Sequence, residues 1–299
     1  MNFPVYSEND LKKKIKFWLI NNSELNPYRF SFKKIFRTLT GRLRSFPHFI
    51  IIGVGRAGTT ALYSYLIQHP SIIGTVNDNK KSASDVHFFE FMTSNSPTWY
   101  KSHFPILSRK QITGEFTSTY FYHPDVPKRI NQLLPKIKLI VILRNPIDKA
   151  YSTYYQQFRY GEISTTFEDS INAELKRMEI IENEPNLHSK NPNFQNFVSQ
   201  NILRHGIYVD YFEKWFEQFN REQILILNAD EMKKNTKKIL KDVFTFLNIE
   251  DHPIEDLSRV SARKYPPISE STRTKLVEFY KPHNERLNKL LQTNFEWDK

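Results

Sequence analysis

The chain has 299 residues, 39% of them hydrophobic and 14% aromatic, enough to bury a core in one large domain or two small ones. It contains no cysteine, which rules out disulfides, thiolate metal sites and a cysteine nucleophile and fits a reducing compartment. The formal charge of +11 is uneven: residues 1–46 carry ten basic side chains against three acidic ones, a net +7 that leaves +4 for the rest.

That first segment also has apolar residues at helical spacing, namely Leu11, Ile15, Trp18 and Leu19, then Phe32, Ile35, Phe36 and Leu39. A basic amphipathic helix pair can lie on an anionic membrane surface, or pack on the main domain with its lysines in water. The run Phe17–Ile20 is too short for a secretory signal, and no stretch is long enough to span a bilayer. The expected location is therefore cytoplasmic, with peripheral membrane contact through residues 1–46 left open. Nucleic acid is not an expected partner, because no nucleic-acid-binding motif accompanies the charge. The expected organisation is a basic extension over 1–46 and one domain over 47–299.

The next segment is the most informative. Phe49-Ile50-Ile51-Ile52 runs into Gly53-Val54-Gly55-Arg56-Ala57-Gly58, and a helical pattern follows at Ala61, Leu62, Tyr65 and Leu66. A strand, a glycine-rich loop and a helix N-terminus aim free backbone N–H groups at one spot, which then favours a phosphate or sulfate. Arg56 adds a full charge there. The loop is not of the G-x-x-x-x-G-K-[ST] type, because Thr59 follows Gly58 where that motif has Lys.

Downstream, Val86–Phe89 reads as a short strand, Thr98–Phe104 as a short helix and Ile112–Glu115 as a short strand. Pro124–Leu134 is helical, with Val126, Ile130, Leu133 and Leu134 on one face. Lys138–Leu143 is a second buried strand, β-branched and flanked by Pro135 and Pro146. Asn145–Tyr160 is a helix with Pro146 in its first turn, and Glu168–Glu182 is another. The Asn- and Pro-rich stretch 183–196 reads as a loop and a candidate lid over the acceptor. Gly206–Phe219 is helical, its aromatics read as core rather than as a sugar platform. Gln223–Leu227 is a strand and Thr236–Leu247 a helix, residues 248–269 are irregular, and Glu270–Leu291 is helical with a break near Pro282. Alternating strands and helices give an α/β fold, three-layered, with a central, mostly parallel sheet flanked by helices. Its ligands are expected at the C-terminal strand ends.

A second anion signal stands at Arg144-Asn145-Pro146-Ile147-Asp148-Lys149-Ala150-Tyr151-Ser152. Arg144 ends a strand and Ser152 lies two turns into the next helix, so both can face the crevice of the glycine loop. Two separated anion sites suit a nucleotide with phosphates at two positions.

Together these segments resemble the sulfotransferases that use 3′-phosphoadenosine 5′-phosphosulfate (PAPS), in particular the heparan-sulfate-type carbohydrate branch. The resemblance extends through Asp85-Val86-His87-Phe88-Phe89-Glu90, Arg204–Tyr208 with Trp215, Arg263-Lys264-Tyr265-Pro266 and Phe279–Leu287, so it covers about residues 46–297 in order. It implies a P-loop-like fold and a sulfuryl transfer that needs no metal. Gly55, Arg56, Ala57, Gly58, Thr59 and Thr60 would then cradle the 5′-phosphosulfate, Arg144 and Ser152 the 3′-phosphate, and Arg263 and Lys264 would add contacts to the donor. Arg56 stands where the family usually has Lys. Phe116 replaces a Lys that often follows the acidic residue at 115, and Ser261-Ala262 replaces Lys-Gly.

A hydroxyl acceptor needs its proton removed, and Asp85, His87 and Glu90 supply three candidates. In an extended segment Asp85 and His87 share a face, and Glu90 joins them only after a bend. The resemblance favours Asp85, and His87 needs no shifted pKa to serve near neutrality. The expected activity is sulfuryl transfer from PAPS to a hydroxyl, or as a second choice an amine, of a glycan or glycolipid-like acceptor. The product would be adenosine 3′,5′-bisphosphate. The alternatives are a P-loop kinase or NTPase, and a nucleotide-binding scaffold without catalysis.

Overall fold

The computed structural model describes residues 37, 39–76, 85–183, 201–258 and 265–297. At its centre is a sheet of five parallel strands in the order β2-β3-β1-β4-β5. These are β1 (Phe49–Gly53), β2 (Ile72–Ile73), β3 (Ile112–Phe116), β4 (Lys138–Leu143) and β5 (Ile224–Asn228). β1 and all of β4 beyond Lys138 are buried, as continuous β-branched runs must be when helices cover both faces of a parallel sheet. Gly114 has a physical reason to lack a side chain: a Cβ there would run into the Phe49 ring on the neighbouring strand.

The covering helices are α1 (Thr59–Leu66), α2 (Phe88–Phe91), α3 (Pro97–Lys101), α4 (Val126–Leu133), α5 (Pro146–Tyr160), α6 (Phe167–Asn183), α7 (Tyr208–Phe216), α8 (Ala229–Lys234), α9 (Thr236–Leu247) and α10 (Glu270–Leu291). The chain leaves β1 to build β2 and β3 on one side, then crosses to β4 and β5 on the other. The loops after β1, β3 and β4 therefore meet at one edge, where this sheet class binds ligands.

Two expectations are corrected here. Val86–Phe89 is not a strand: His87 turns left-handed (φ 53°) and α2 begins at Phe88. The backbone of this segment finds partners away from any sheet, since Phe89 N–H donates to the Tyr120 hydroxyl and Arg129 donates to the Phe89 carbonyl. Phe88 stacks on Tyr100 with ring centres 4.4 Å apart, which anchors the turn in the core. Nor does the last helix break at Pro282. α10 buries Leu276 and Tyr280 before the proline and Asn284 and Leu287 after it. The Tyr280 hydroxyl donates to the Leu203 carbonyl, so packing on both sides carries the helix across the missing N–H. Sequence patterning passed over the short β2 and α8. The aromatic helix α7 does bury Tyr208, Phe212 and Trp215.

Most of the basic extension, with its expected helices and membrane contact, lies outside the described residues, as does all but the first residue of the lid expected at 183–196. The described end of the extension docks on the domain: Arg44 is buried and donates to the Phe104 carbonyl at 2.7 Å. Among the described residues no helix is long and apolar enough to cross a membrane.

Candidate active site

The glycine-rich loop connects β1 to α1. Gly58 caps α1 at φ 103°, a conformation that suits glycine, and offers no side chain to the helix end. Helix geometry leaves the N–H groups of Thr59, Thr60 and Ala61 without intrahelical acceptors, and the first bond of α1 is Leu62 N–H to the Gly58 carbonyl. Thr59 is buried and Thr60 exposed. Arg56 takes the left-handed region at φ 71° although it carries a side chain, at a cost of about 1–2 kcal/mol. That turn directs its guanidinium towards α5.

Arg56 Nε donates to Ser152 Oγ at 3.0 Å, and Arg56 Nη2 donates to the Tyr265 hydroxyl at 3.2 Å. Arg144 Nη1 donates to the Arg56 carbonyl at 3.0 Å. The two anion signals are thus one connected site. Arg144 Nε is buried with no hydrogen-bond partner, an orphan donor of the kind a bound anion satisfies. Tyr208 donates to the Arg144 carbonyl and fixes the end of β4. Asn145 caps α5 by accepting from Ile147 N–H. Tyr265 stacks on Tyr155 with ring centres 4.7 Å apart. Tyr265 carries no local sequence signal of a role, and only the fold brings it to Ser152. Arg263 and Lys264 lie outside the described residues.

The second half of the site follows β3. His87 Nδ1 lies 2.7 Å from Glu90 Oε2, and His87 Nε2 lies 3.9 Å from Asp85 Oδ2. The bend that brings Glu90 into the group is at His87 itself. Asp85 Oδ1 accepts from Ser118 N–H at 3.3 Å. Thr117 Oγ1 accepts from the N–H groups of Val86 and His87 and donates to Glu115 Oε2, while the Tyr100 hydroxyl holds the other Glu115 oxygen. Glu115, fully buried, therefore steadies the segment from behind.

The electrostatics follow from this packing. Burial raises the Asp85 carboxyl above its ordinary value, against the pull of His87 and the Ser118 N–H. For His87 burial disfavours the imidazolium, yet the hydrogen bond and charge of Glu90, with the charges of Asp85 and Glu115, push its pKa up. Glu115 is raised to about 7 by burial, despite its bonds from Tyr100 and Thr117.

Gly55, Arg56 and His87 share the wall of one cavity of about 1000 Å³, which runs on along α5 and α6 to Glu174 and His205. Gly55 and Arg56 thus sit at one end of a space that a larger molecule can enter. Among the described residues no group of three or more His, Cys, Asp or Glu side chains is arranged to hold a metal ion.

A family model described as "Sulfotransferase domain" matches residues 46–286. The human bifunctional heparan sulfate N-deacetylase/N-sulfotransferase 3 is 29% identical over 273 residues, covering 82% of this chain and 30% of that protein. Its mouse relative, enzyme 4 of the same description, is 30% identical over 273 residues with the same coverage. The chain therefore spans about 30% of the length of these curated relatives. Among solved structures, a sulfotransferase from Alicyclobacillus acidocaldarius shares the fold, with a TM-score of 0.68 at 23% identity over 85% of this chain and 100% of that one.

Proposed function

The chain belongs to the sulfotransferase family, and we propose that it moves a sulfuryl group from PAPS to an amino group of a carbohydrate acceptor. The connected Arg56–Ser152–Arg144 site carries this reading, because it offers two anion-binding positions on one crevice beside a proton-accepting cluster. The amine replaces the hydroxyl favoured by the sequence because the relatives above are named N-sulfotransferases. A hydroxyl remains the second reading, supported by the three side chains gathered at His87.

The donor would supply a sulfuryl group that passes in line to the acceptor, the sulfur–oxygen bond to the 5′-phosphate breaking as the bond to nitrogen forms. The N–H groups of the loop from Gly55 to Thr60 hold the 5′ end. Arg56 meets the charge that grows on the departing phosphate oxygen. Arg144, through its orphaned Nε, and Ser152 take the 3′-phosphate, which distinguishes this donor from ATP. Ser152 accepts from Arg56 through its oxygen and can donate its own O–H to the phosphate. Arg263 and Lys264 are assigned further contacts to the donor from the sequence resemblance alone.

Asp85 and His87 act as a proton-accepting pair. Glu90 engages Nδ1, so Nε2 faces Asp85, and the raised Asp85 carboxyl is a stronger base than an ordinary one. The test is transfer of radiolabelled sulfur from PAPS to glucosamine-containing oligosaccharides and to their N-acetylated forms. Label on the free amines alone supports the reading; label on both moves it to a hydroxyl, and no label on either contradicts it.

A further inference from the structure

The cavity beyond His87 is walled by polar side chains that mostly serve the fold. Glu174 accepts from the N–H groups of Leu203 and Arg204, and Asp169 accepts from Thr166. Lys149 differs. It lies on α5 one turn before Ser152, is 2% exposed and forms part of the cavity wall, yet its ammonium has no hydrogen-bond partner. What surrounds it is the face of Tyr122, with Nζ 5.3 Å from the ring centre, and at longer range the charge of Glu174.

A buried ammonium without an acceptor is unfavourable by several kcal/mol. Burial accordingly pulls Lys149 down to about 7, offset in part by Glu174. Because the group borders the cavity, the missing acceptor can arrive with the ligand. The volume, about 1000 Å³, is at the upper end for small-molecule sites and admits more than one sugar ring. Arg56, at the other end, is committed to the donor.

We propose that Lys149 binds an anionic group of the acceptor, a carboxylate or sulfo group on the sugar next to the one that reacts. The enzyme then selects acidic over neutral glycans through a residue on the same helix as the donor-binding Ser152. This rests on reading the cavity as the acceptor site.

The test uses two disaccharides, glucosamine linked to glucuronic acid and glucosamine linked to glucose, with wild type, Lys149→Met and Lys149→Arg. Both calorimetric binding and sulfuryl transfer are measured. Wild type should favour the acidic disaccharide about tenfold, the effect of one charge-assisted hydrogen bond. Lys149→Met should remove most of that preference through KM rather than kcat, and Lys149→Arg should keep it. A wild type without preference, or a Met variant that weakens both disaccharides equally, overturns the proposal. If Lys149→Met does not fold, wild type and the Arg variant decide it, because loss of preference in both is contradictory. Selective binding without transfer to either sugar would instead leave the Lys149 site standing and count against the reaction assigned above.

Discussion

Arg56 and Ser152, 96 residues apart in sequence, are joined by a 3.0 Å hydrogen bond from Nε to Oγ. The bond links the loop after β1 to the helix after β4, and in the proposed donor site it would make the 5′ and 3′ halves interdependent. Arg56→Ala should lower kcat by about 10²–10³, the usual cost of losing a charge-stabilising donor. Arg56→Lys should retain more activity, since it keeps the charge and loses only the second contact to Tyr265. Steady-state kinetics on the two variants would check this order.

Asp85→Asn should reduce kcat by about 10²–10⁴ while leaving donor affinity unchanged within a few-fold. Because burial raises Asp85, the rate of the wild type should fall as pH drops through a value higher than that of an ordinary aspartate. His87→Gln should shift that limb as well, since each group perturbs the other. Rate profiles between pH 4 and 9, about the range of both groups, would show it.

Glu115 gives a stability prediction. Its folded value of about 7 lies above the 4.5 of an unfolded glutamate, so the folded state holds the extra proton. Its contribution is fully present below pH 4.5 and is lost as pH rises through 7, a swing of about 3 kcal/mol. Glu115→Gln, which stays neutral, should therefore gain on wild type as pH rises across that window. Denaturant midpoints at a series of pH values measure the difference. The same variant should lower the His87 pKa, because it removes one of the charges that raises it.

Gly114→Ala should destabilise the sheet by about 1–3 kcal/mol, because the new methyl must displace the Phe49 ring between β3 and β1. For a chain of this size each kcal/mol lowers Tm by about 2–4 °C. Calorimetric unfolding would detect the shift.

Sequence reasoning worked where a local signal and the tertiary fold agree. β1, its glycine loop and β4 are continuous apolar runs bounded by Gly and Pro, and helix periodicity placed Ser152 two turns into α5. It failed where tertiary contacts decide. Val86–Phe89 has strand-like composition, but the hydroxyls of Thr117 and Tyr120 take its N–H groups and let His87 turn. Pro282 signals a break that packing on both sides of it overrides. Tyr265 and Lys149 carried no local signal of a role. Tyr265 matters because the fold returns it to Arg56, and Lys149 because the helix turns its amine into a wall without an acceptor. The chemistry of Arg263 and Lys264 stays with the sequence alone.

The donor site is the centre of this account, and calorimetric binding of adenosine 3′,5′-bisphosphate tests it most directly, with ADP and ATP as controls on wild type, Arg144→Ala and Ser152→Ala. Tight binding that depends on the 3′-phosphate is expected, weakened about tenfold or more in either variant. Equal or tighter binding of ATP, or variants that bind like wild type, would contradict it and bring the kinase or NTPase reading forward.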